Sequence, residues 1–395
     1  MPAKSETRAQ PAGPSFWPSV AIIFAYAVMV IVGIRLMRTR AAMPAGSELS
    51  VPRTVFTVAN AASLTGFQQT IQVETYKPFG RRIVFAMIVG GSLASMIVGG
   101  AAVARLLRLP YSTWQIAGWA IGLEILAAVA GLLFVRGDNG DFAGASALGN
   151  CGIVIGGVVS REDLRLHLVI FPLAVLGGLG LPVIMELFDW LRLRRPVSLH
   201  TRTVLTMTAT VYVVGFLLLT SLNWPIDRAV VRDGSTTSLN PRTLGWPVES
   251  PATWPRAAVW VVMLLMAVGA SPAGTGGGLK TTTVFELARG SYRSLRARPV
   301  SRMFGFAMVW LGTYALLVLA TTTVLVSTEP QLAADQILFT AISAASNVGI
   351  SYAPISITGD GLYMLSISMI LGRLLPLTIL WWAAMTVRDA DVAIG

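Results

Sequence analysis

Charge is scarce in this chain, and the side chains that usually carry catalysis or metal binding are scarcer. Only 12% of its 395 residues are Asp, Glu, Lys or Arg, against about 25% in an ordinary soluble domain. A single cysteine, Cys151, excludes an internal disulfide and a cysteine-based metal cluster. The two histidines, His167 and His200, stand far apart and do not suggest a His-rich metal site. Acidic residues are few, 19 against 30 Lys and Arg, for a net charge of +11. That sign would suit a nucleic acid, but the arginines are dispersed and no basic run interleaves with aromatics. No nucleic-acid partner is expected, and the arginines read as groups at membrane interfaces.

What the chain has is apolar length: 54% of its residues are hydrophobic. The class is an all-α polytopic membrane protein, with membrane lipid as its surroundings. Residues 1–15 are mostly polar or small, with Lys4 and Arg8, and a largely apolar run follows from Phe16 to Ile34. A signal peptide has an apolar core of only about 7–15 residues. This run approaches the roughly 20 residues that span a bilayer, so it reads as an uncleaved first helix.

The same trio then recurs. A spanning run (16–36) precedes a short apolar, small-residue segment (55–63) that ends at Leu64-Thr65-Gly66-Phe67, and a second run (83–107) follows. Next come 113–135, segment 141–149 ending at Asn150-Cys151-Gly152-Ile153, and 165–191. Run 203–222 precedes a polar stretch ending at Arg242-Thr243-Leu244-Gly245-Trp246, with 256–290 after it. Last are 303–326, segment 332–345 ending at Asn347-Val348-Gly349-Ile350, and 362–387. The short segments cannot span. The spacing therefore predicts four helix–pore-loop–helix repeats, eight transmembrane helices in all, around a central pore. The expected boundaries are 1–15 for an N-terminal tail, then 16–110, 111–197, 198–300 and 301–395.

The layout suits a cation. A half-helix entering from one surface aims its partly negative C-terminal end at the membrane centre. The turn that follows has to present carbonyls to an axis, and glycine adopts the required backbone angles at little steric cost. A carbonyl ring replaces an ion's hydration shell without side-chain charge, and the four loop tips carry no Asp or Glu. A second irregularity is GASPAGTGGGLKTTT at 269–283, a glycine-rich break in an apolar run. Irregular backbone at membrane depth persists only where protein or a water-filled cavity meets its polar groups.

These stretches resemble the membrane subunit of the Trk/Ktr/HKT superfamily of potassium, and sometimes sodium, transporters. Residues 269–283 resemble that family's intramembrane gating loop almost residue by residue. TGF at 65–67, ETYKPFGR at 74–81, GNCGI at 149–153 and GGLGLPVIMEL at 177–187 also fit. So do SLHTR at 198–202, RTLGW at 242–246, SNVGIS at 346–351 and GRLLPLT at 372–378. The resemblance implies a multi-pass protein of the cell membrane, not an enzyme, taking up potassium as transported ion with no organic cofactor. It implies a homodimer with one pore per subunit, and gating by a separate cytoplasmic nucleotide-binding ring that would dock on the basic loops at 192–202 and 289–302. The implied filter is made mostly of backbone carbonyls at Thr65, Gly66, Asn150, Cys151, Gly152, Thr243, Leu244, Gly245, Asn347, Val348 and Gly349. The implied gate is loop 269–280, with Gly274, Thr275, Gly276, Gly277, Gly278 and Lys280, faced by Arg373 as a barrier, a clamp on the loop carbonyls, or both. In the family a serine at the first-loop glycine goes with sodium permeation, so Gly66 favours potassium.

Other signals weigh less. The loop half-matches a phosphate-binding P-loop, but Leu279 stands where that motif needs glycine before Lys280. Glu124, inside run 113–135, is expected either to make a structural hydrogen bond between helices or to relay ions. Asp138 and Asp141 form either a cation-concentrating mouth or a plain solvated turn. The third repeat departs from the pattern: DRAVVRDGSTTSLNP before Gly245 has no apolar helical period, so its pore helix is expected to be short or absent. A looser, sodium-permeable filter is the rival this raises. An intramembrane hydrolase built on Ser271, or a non-conducting protein of the same fold, are rivals of another class. Basic clusters fall on both sides under the family topology, so orientation rests on the resemblance and not on charge.

Overall fold

Three of the long helices begin the same way. Pro110, Pro196 and Pro299 are each followed two residues later by a serine, Ser112, Ser198 or Ser301. Each serine Oγ accepts the backbone N–H three residues on, from Gln115 (3.2 Å), Thr201 (3.2 Å) and Phe304 (3.3 Å). This N-cap satisfies a helix-end donor that would otherwise lack a partner. The proline turns the chain and the serine starts the next long helix.

The computed structural model describes residues 16–44, 49–135, 139–156, 160–223, 225–248, 250–387 and 390–395. The tail at 1–15 and Asp138 lie outside them. Divided at the boundaries expected from the sequence, the first repeat comprises α1 (Phe16–Met37), α2 (Val51–Ala62) and α3 (Pro78–Leu106); the second, α4 (Thr113–Phe134), α5 (Gly140–Leu148), α6 (Phe171–Leu179) and α7 (Leu181–Leu193). The third holds α8 (Leu199–Ser221), α9 (Arg228–Thr243), α10 (Arg256–Ala267) and α11 (Thr281–Leu295). The fourth holds α12 (Arg302–Thr328), α13 (Ala334–Ala345) and α14 (Gly359–Thr386). No strand occurs among the described residues.

Six helices, α1, α3, α4, α8, α12 and α14, are long and apolar enough to cross a bilayer. The chain is a multi-pass membrane protein. Burial sorts these helices into two shells: 61% of the spanning windows of α3 and α14 is buried, against 17% for α1, 33% for α4 and 28% for α8 and α12. The second helices α3 and α14 therefore line the interior, and the first helices α1, α4, α8 and α12 face outward. Lipid supplies no hydrophobic drive between helices, so close packing of small residues has to hold them together. The interior face of α3 is accordingly rich in Gly, Ala and Ser, with Gly91, Ser92, Ser95, Gly99 and Ala102 all buried.

Two expectations need correction. The run at 165–191 is not one helix: α6 and α7 meet at 100° across Gly180. Gly180 has φ +84°, and a Cβ there would stand 2.5 Å from the Pro272 carbonyl oxygen, so only glycine serves at the bend. The third pore helix is neither short nor absent. At 16 residues α9 is longer than α2 (12), α5 (9) and α13 (12). It lacks an apolar stripe because its neighbours are polar protein groups. Asp227 caps it through the Val230 N–H (2.8 Å). Ser235 meets the Tyr212 hydroxyl at 2.7 Å, and Ser238 donates to the Tyr212 carbonyl at 2.8 Å. Arg161–Asp233 (2.8 Å) and Arg232–Glu162 (3.3 Å) tie its N-terminal half to residues 161–162.

Candidate functional site

Three of the four short helices, α2, α5 and α9, end in turns held by a side chain from near their own C-terminal end; in α13 the equivalent Ser343 hydroxyl makes no such bond. Asn60 accepts the N–H groups of Gly66 and Phe67 through Oδ1, both at 2.9 Å, and donates to the Phe67 carbonyl at 2.9 Å. Asn240 brackets Trp246 the same way, accepting its N–H and donating to its carbonyl, both at 2.7 Å. Ser146 takes the equivalent place in the second loop, donating to the Ile153 carbonyl at 2.8 Å. Nothing in the linear spacing marked Asn60, Ser146 or Asn240; their shared position six or seven residues before the bracketed residue was the available signal.

The turns converge. A Cβ built on Gly66 would strike the Cys151 carbonyl; on Gly152, the Gly245 carbonyl; on Gly245, the Val348 carbonyl; and on Gly349, the Thr65 carbonyl. The contacts run in chain order and close on themselves, so the four glycines form a ring. All four have positive φ (92°, 69°, 63° and 81°), where any side chain is strained. Thr65, Cys151, Leu244 and Val348, just before the glycines, are fully or almost fully buried.

The third loop breaks the pattern. Leu64, Asn150 and Asn347, each two residues before a ring glycine, also have positive φ (59°, 53° and 50°). In the third loop Thr243, two residues before Gly245, is still the last residue of α9, Leu244 has φ −111°, and Gly245 itself donates to the Asn240 carbonyl five residues back. Thr65, Cys151 and Val348 make that five-residue bond in the other loops, one residue before the glycine. The third turn is thus one residue tighter, and Thr243 closes α9 directly above it. The side chains of Asn150 and Asn347 brace rather than face the ring. Asn150 donates to the Ala174 carbonyl (3.0 Å) and the Thr275 hydroxyl (2.7 Å), Asn347 to the Met369 carbonyl (2.7 Å) and the Thr65 hydroxyl (3.0 Å).

Residues 268–280, between α10 and α11, dock under all four short helices. Thr275 donates through Oγ1 to the Leu148 carbonyl at the end of α5 (2.7 Å). A Cβ on Gly277 would meet the Ser346 carbonyl after α13, and one on Gly276 would stand 3.6 Å from the Arg242 carbonyl of α9. Arg373 of α14 supplies the fourth link, donating to Ser63 O after α2 (2.8 Å) and to Thr275 O (2.6 Å), with a longer contact to Leu64 O (3.5 Å). The loop closes on itself through Gly269 N to Leu279 O and Leu279 N to Ala267 O, both 2.9 Å. It also rests on the bend at Gly180: Ser271 N donates to Gly178 O (3.0 Å), Thr275 N to Gly177 O (2.9 Å), and the Ser271 hydroxyl to Leu179 O. The segment GGLG at 177–180 is therefore part of the site, which a continuous helix there did not suggest. Gly274 lies against Gly178, and Gly278 has φ +69°.

Two cations sit here. Lys280 is buried and donates to the Gly276 carbonyl at 2.5 Å. Arg373 is 5% exposed. Among the described residues neither has a carboxylate partner. Beneath them residues 392–395 are buried; Thr283 donates to the Gly395 carbonyl (3.0 Å), and Ala393 N donates to His200 Nδ1 (3.3 Å).

Among the remaining candidates, Glu124 is buried with the Ser92 hydroxyl of α3 as its polar neighbour, but neither carboxyl oxygen makes a hydrogen bond of ordinary geometry. Ser271 spends its hydroxyl on backbone carbonyls. Asp141 opens the first turn of α5.

The sequence resembles named transport proteins. It is 24% identical over 392 residues to Ktr system potassium uptake protein B of Vibrio alginolyticus, covering 86% of this chain and 85% of the relative. It is 22% identical over 391 residues to the potassium/sodium uptake protein NtpJ of Enterococcus hirae, covering 85% of each. The crystal structure of the potassium transporter TrkH from Vibrio parahaemolyticus superimposes with a TM-score of 0.70 over 98% of this chain and 87% of that one, at 16% identity. The chain is similar over most of its length to membrane subunits of the Trk/Ktr type. The TrkH likeness covers nearly the whole chain and shows the fold. No protein-family model matches the sequence.

Proposed function

We propose that this chain is the pore-forming subunit of a potassium-uptake system of the cell membrane, and not an enzyme. The observation that carries the reading is the closed ring of Gly66, Gly152, Gly245 and Gly349 with loop 268–280 docked directly beneath it. Four short helices point their C-terminal ends at the ring, and their partial negative charge favours a dehydrated cation. Backbone carbonyls of Thr65, Gly66, Asn150, Cys151, Gly152, Thr243, Leu244, Gly245, Asn347, Val348 and Gly349 then replace its hydration shell. Below, Gly274–Gly278 fills the path, and Arg373 and Lys280 repel a cation there. Opening requires loop 268–280 to leave Leu148, Ser346 and Arg373. Glycine permits the backbone change at low cost, and an inside-negative potential drives the ion at about 2.3 kcal/mol per charge per 100 mV.

Partners follow from surface chemistry. Arg192, Arg194, Arg195 and Arg202 lie exposed at one end of the bundle, as do Arg296, Arg298 and Arg302. We assign this end to a separate nucleotide-binding regulatory ring, and the outward apolar faces of the first helices to lipid and a second copy of the chain. Expression in a strain deficient in potassium uptake tests the function: growth at low potassium supports it, and no growth with the protein present in the membrane contradicts it.

A second reading, a sodium-permeable transporter, draws on the tighter third turn at Leu244-Gly245. Equal rubidium and sodium flux in vesicles would favour it.

A further inference from the structure

Four residues stand two positions after the ring glycines: Gln68, Val154, Pro247 and Ser351. Only Gln68 has a long polar side chain, and it reaches back over the ring. Its Nε2 donates to the Gly66 carbonyl at 3.3 Å and to the Gly152 carbonyl at 3.2 Å, bridging the first two loops. Both neighbours are carbonyl oxygens, which only accept, so the amide nitrogen has to face them. Ser351, by contrast, turns away and donates to Ala353 O at 2.7 Å. Gln68 also lines a cavity of about 190 Å³ bounded by Gln72, Glu74, Ile153 and Val154, where Gln72 and Glu74 are exposed.

A carbonyl that accepts from an amide has one of its two lone pairs occupied, and the positive N–H end held beside it opposes a cation approaching the same oxygen. The same side chain carries the remedy, because its other terminal atom is an oxygen. The terminal torsion of glutamine is broad and roughly two-fold, so a half-turn replaces a donor to the ring by a ligand for the ion. We propose that Gln68 is an exchangeable cap on the ring. Its NH₂ satisfies the Gly66 and Gly152 carbonyls when no ion is bound there, and its Oε1 joins the ion's ligands when one arrives. Gln68 thereby sets the apparent affinity at the mouth rather than the maximal rate, which the loop beneath controls. This inference rests on the cation-transport reading above.

The test is rubidium uptake by vesicles containing the full chain, with KM and maximal rate compared for wild type, Gln68→Glu and Gln68→Leu. Gln68→Glu removes the competing donor and keeps a ligand; its KM falls at least fivefold. Gln68→Leu removes the ligand; its KM rises at least fivefold. Maximal rates stay within about twofold in both. A residue that merely braced the two loops would act differently: the glutamate, facing carbonyls, would be the worse variant, and both would lower the maximal rate and the unfolding temperature together. That result, or unchanged KM in both variants, overturns the proposal. Potassium-dependent thermal protection in detergent gives the same ranking without transport, since stabilisation follows the ratio of ligand concentration to Kd. If Gln68→Glu does not accumulate, an unchanged KM in Gln68→Leu is decisive against it. No flux in any protein removes the transport reading itself, whereas wild-type flux with unchanged KM removes only the role of Gln68.

Discussion

The guanidinium of Arg373 donates to the Thr275 carbonyl at 2.6 Å and to the Ser63 carbonyl at 2.8 Å. One side chain of the last helix thus holds the loop beneath the ring to the end of the first short helix. Among the described residues it has no carboxylate partner, so in the reading proposed above bracing and repulsion reside in the same group. At an effective dielectric of 20, two unit charges about 4 Å apart repel by about 4 kcal/mol.

Substitutions at Arg373 separate those two roles. A third of that repulsion is already worth about tenfold in rate, so Arg373→Met raises resting rubidium flux about tenfold or more. Arg373→Lys keeps the charge but loses the fork. It leaves resting flux low while lowering the unfolding temperature. Equal leak in both variants would assign the barrier to the loop's shape alone.

Alanine at a ring glycine combines positive φ with a collision against a neighbouring carbonyl. Gly349→Ala, facing the Thr65 carbonyl, abolishes flux while the protein still reaches the membrane. Gly118→Ala is the control: nothing lies within 4 Å of its Cβ position on α4, so transport is unchanged. Helix propensity there improves by about 1 kcal/mol. Flux assays on membranes with matched protein levels check both.

Asn60 satisfies three backbone groups of the first turn. Asn60→Leu leaves them buried without a partner, at about 1–3 kcal/mol each, and loses both stability and potassium preference. Asn60→Asp keeps the two acceptor bonds and falls between. Thermal unfolding and the potassium-to-sodium flux ratio read the two effects separately.

Arg53, at the start of α2, reaches across to the fourth repeat and donates to the Ile355 and Ile357 carbonyls, both at 2.8 Å. A hydrogen bond to a charged group is worth about 1.5–3 kcal/mol. Arg53→Met therefore lowers the unfolding temperature more than loss of an exposed arginine such as Arg202. An equal effect would contradict the cross-link.

Much of the fold was legible because lipid imposes simple rules on sequence. Long apolar runs placed α1, α3, α4, α8, α12 and α14, and small-residue segments placed α2, α5 and α13. The break at 268–280 was legible because glycine and proline cannot continue a helix there. The bend at Gly180 was not, since hydropathy at 165–191 is blind to the backbone; Gly177-Gly178-Leu179-Gly180 before Pro182 was the overlooked signal. The length of α9 was missed for the opposite reason. Its polar side chains meet Tyr212, Arg161 and Glu162, and apolar periodicity reports only helices that bury an apolar face. The bonds of Arg53 to the fourth repeat and of Gln68 to the second loop arise between segments that only folding brings together, whereas those of Asn60 and Asn240 stay within six or seven residues and lacked only a pattern to mark them.

The central claim is that a cation crosses the ring of Gly66, Gly152, Gly245 and Gly349 and is held back by the loop beneath. Rubidium uptake into vesicles under an inside-negative potential tests it most directly, with wild type, Arg373→Met, and Arg373→Met combined with Gly349→Ala. The account predicts low flux in the first, about tenfold more in the second, and none in the third. Flux that survives Gly349→Ala, or no flux even in Arg373→Met, would contradict it.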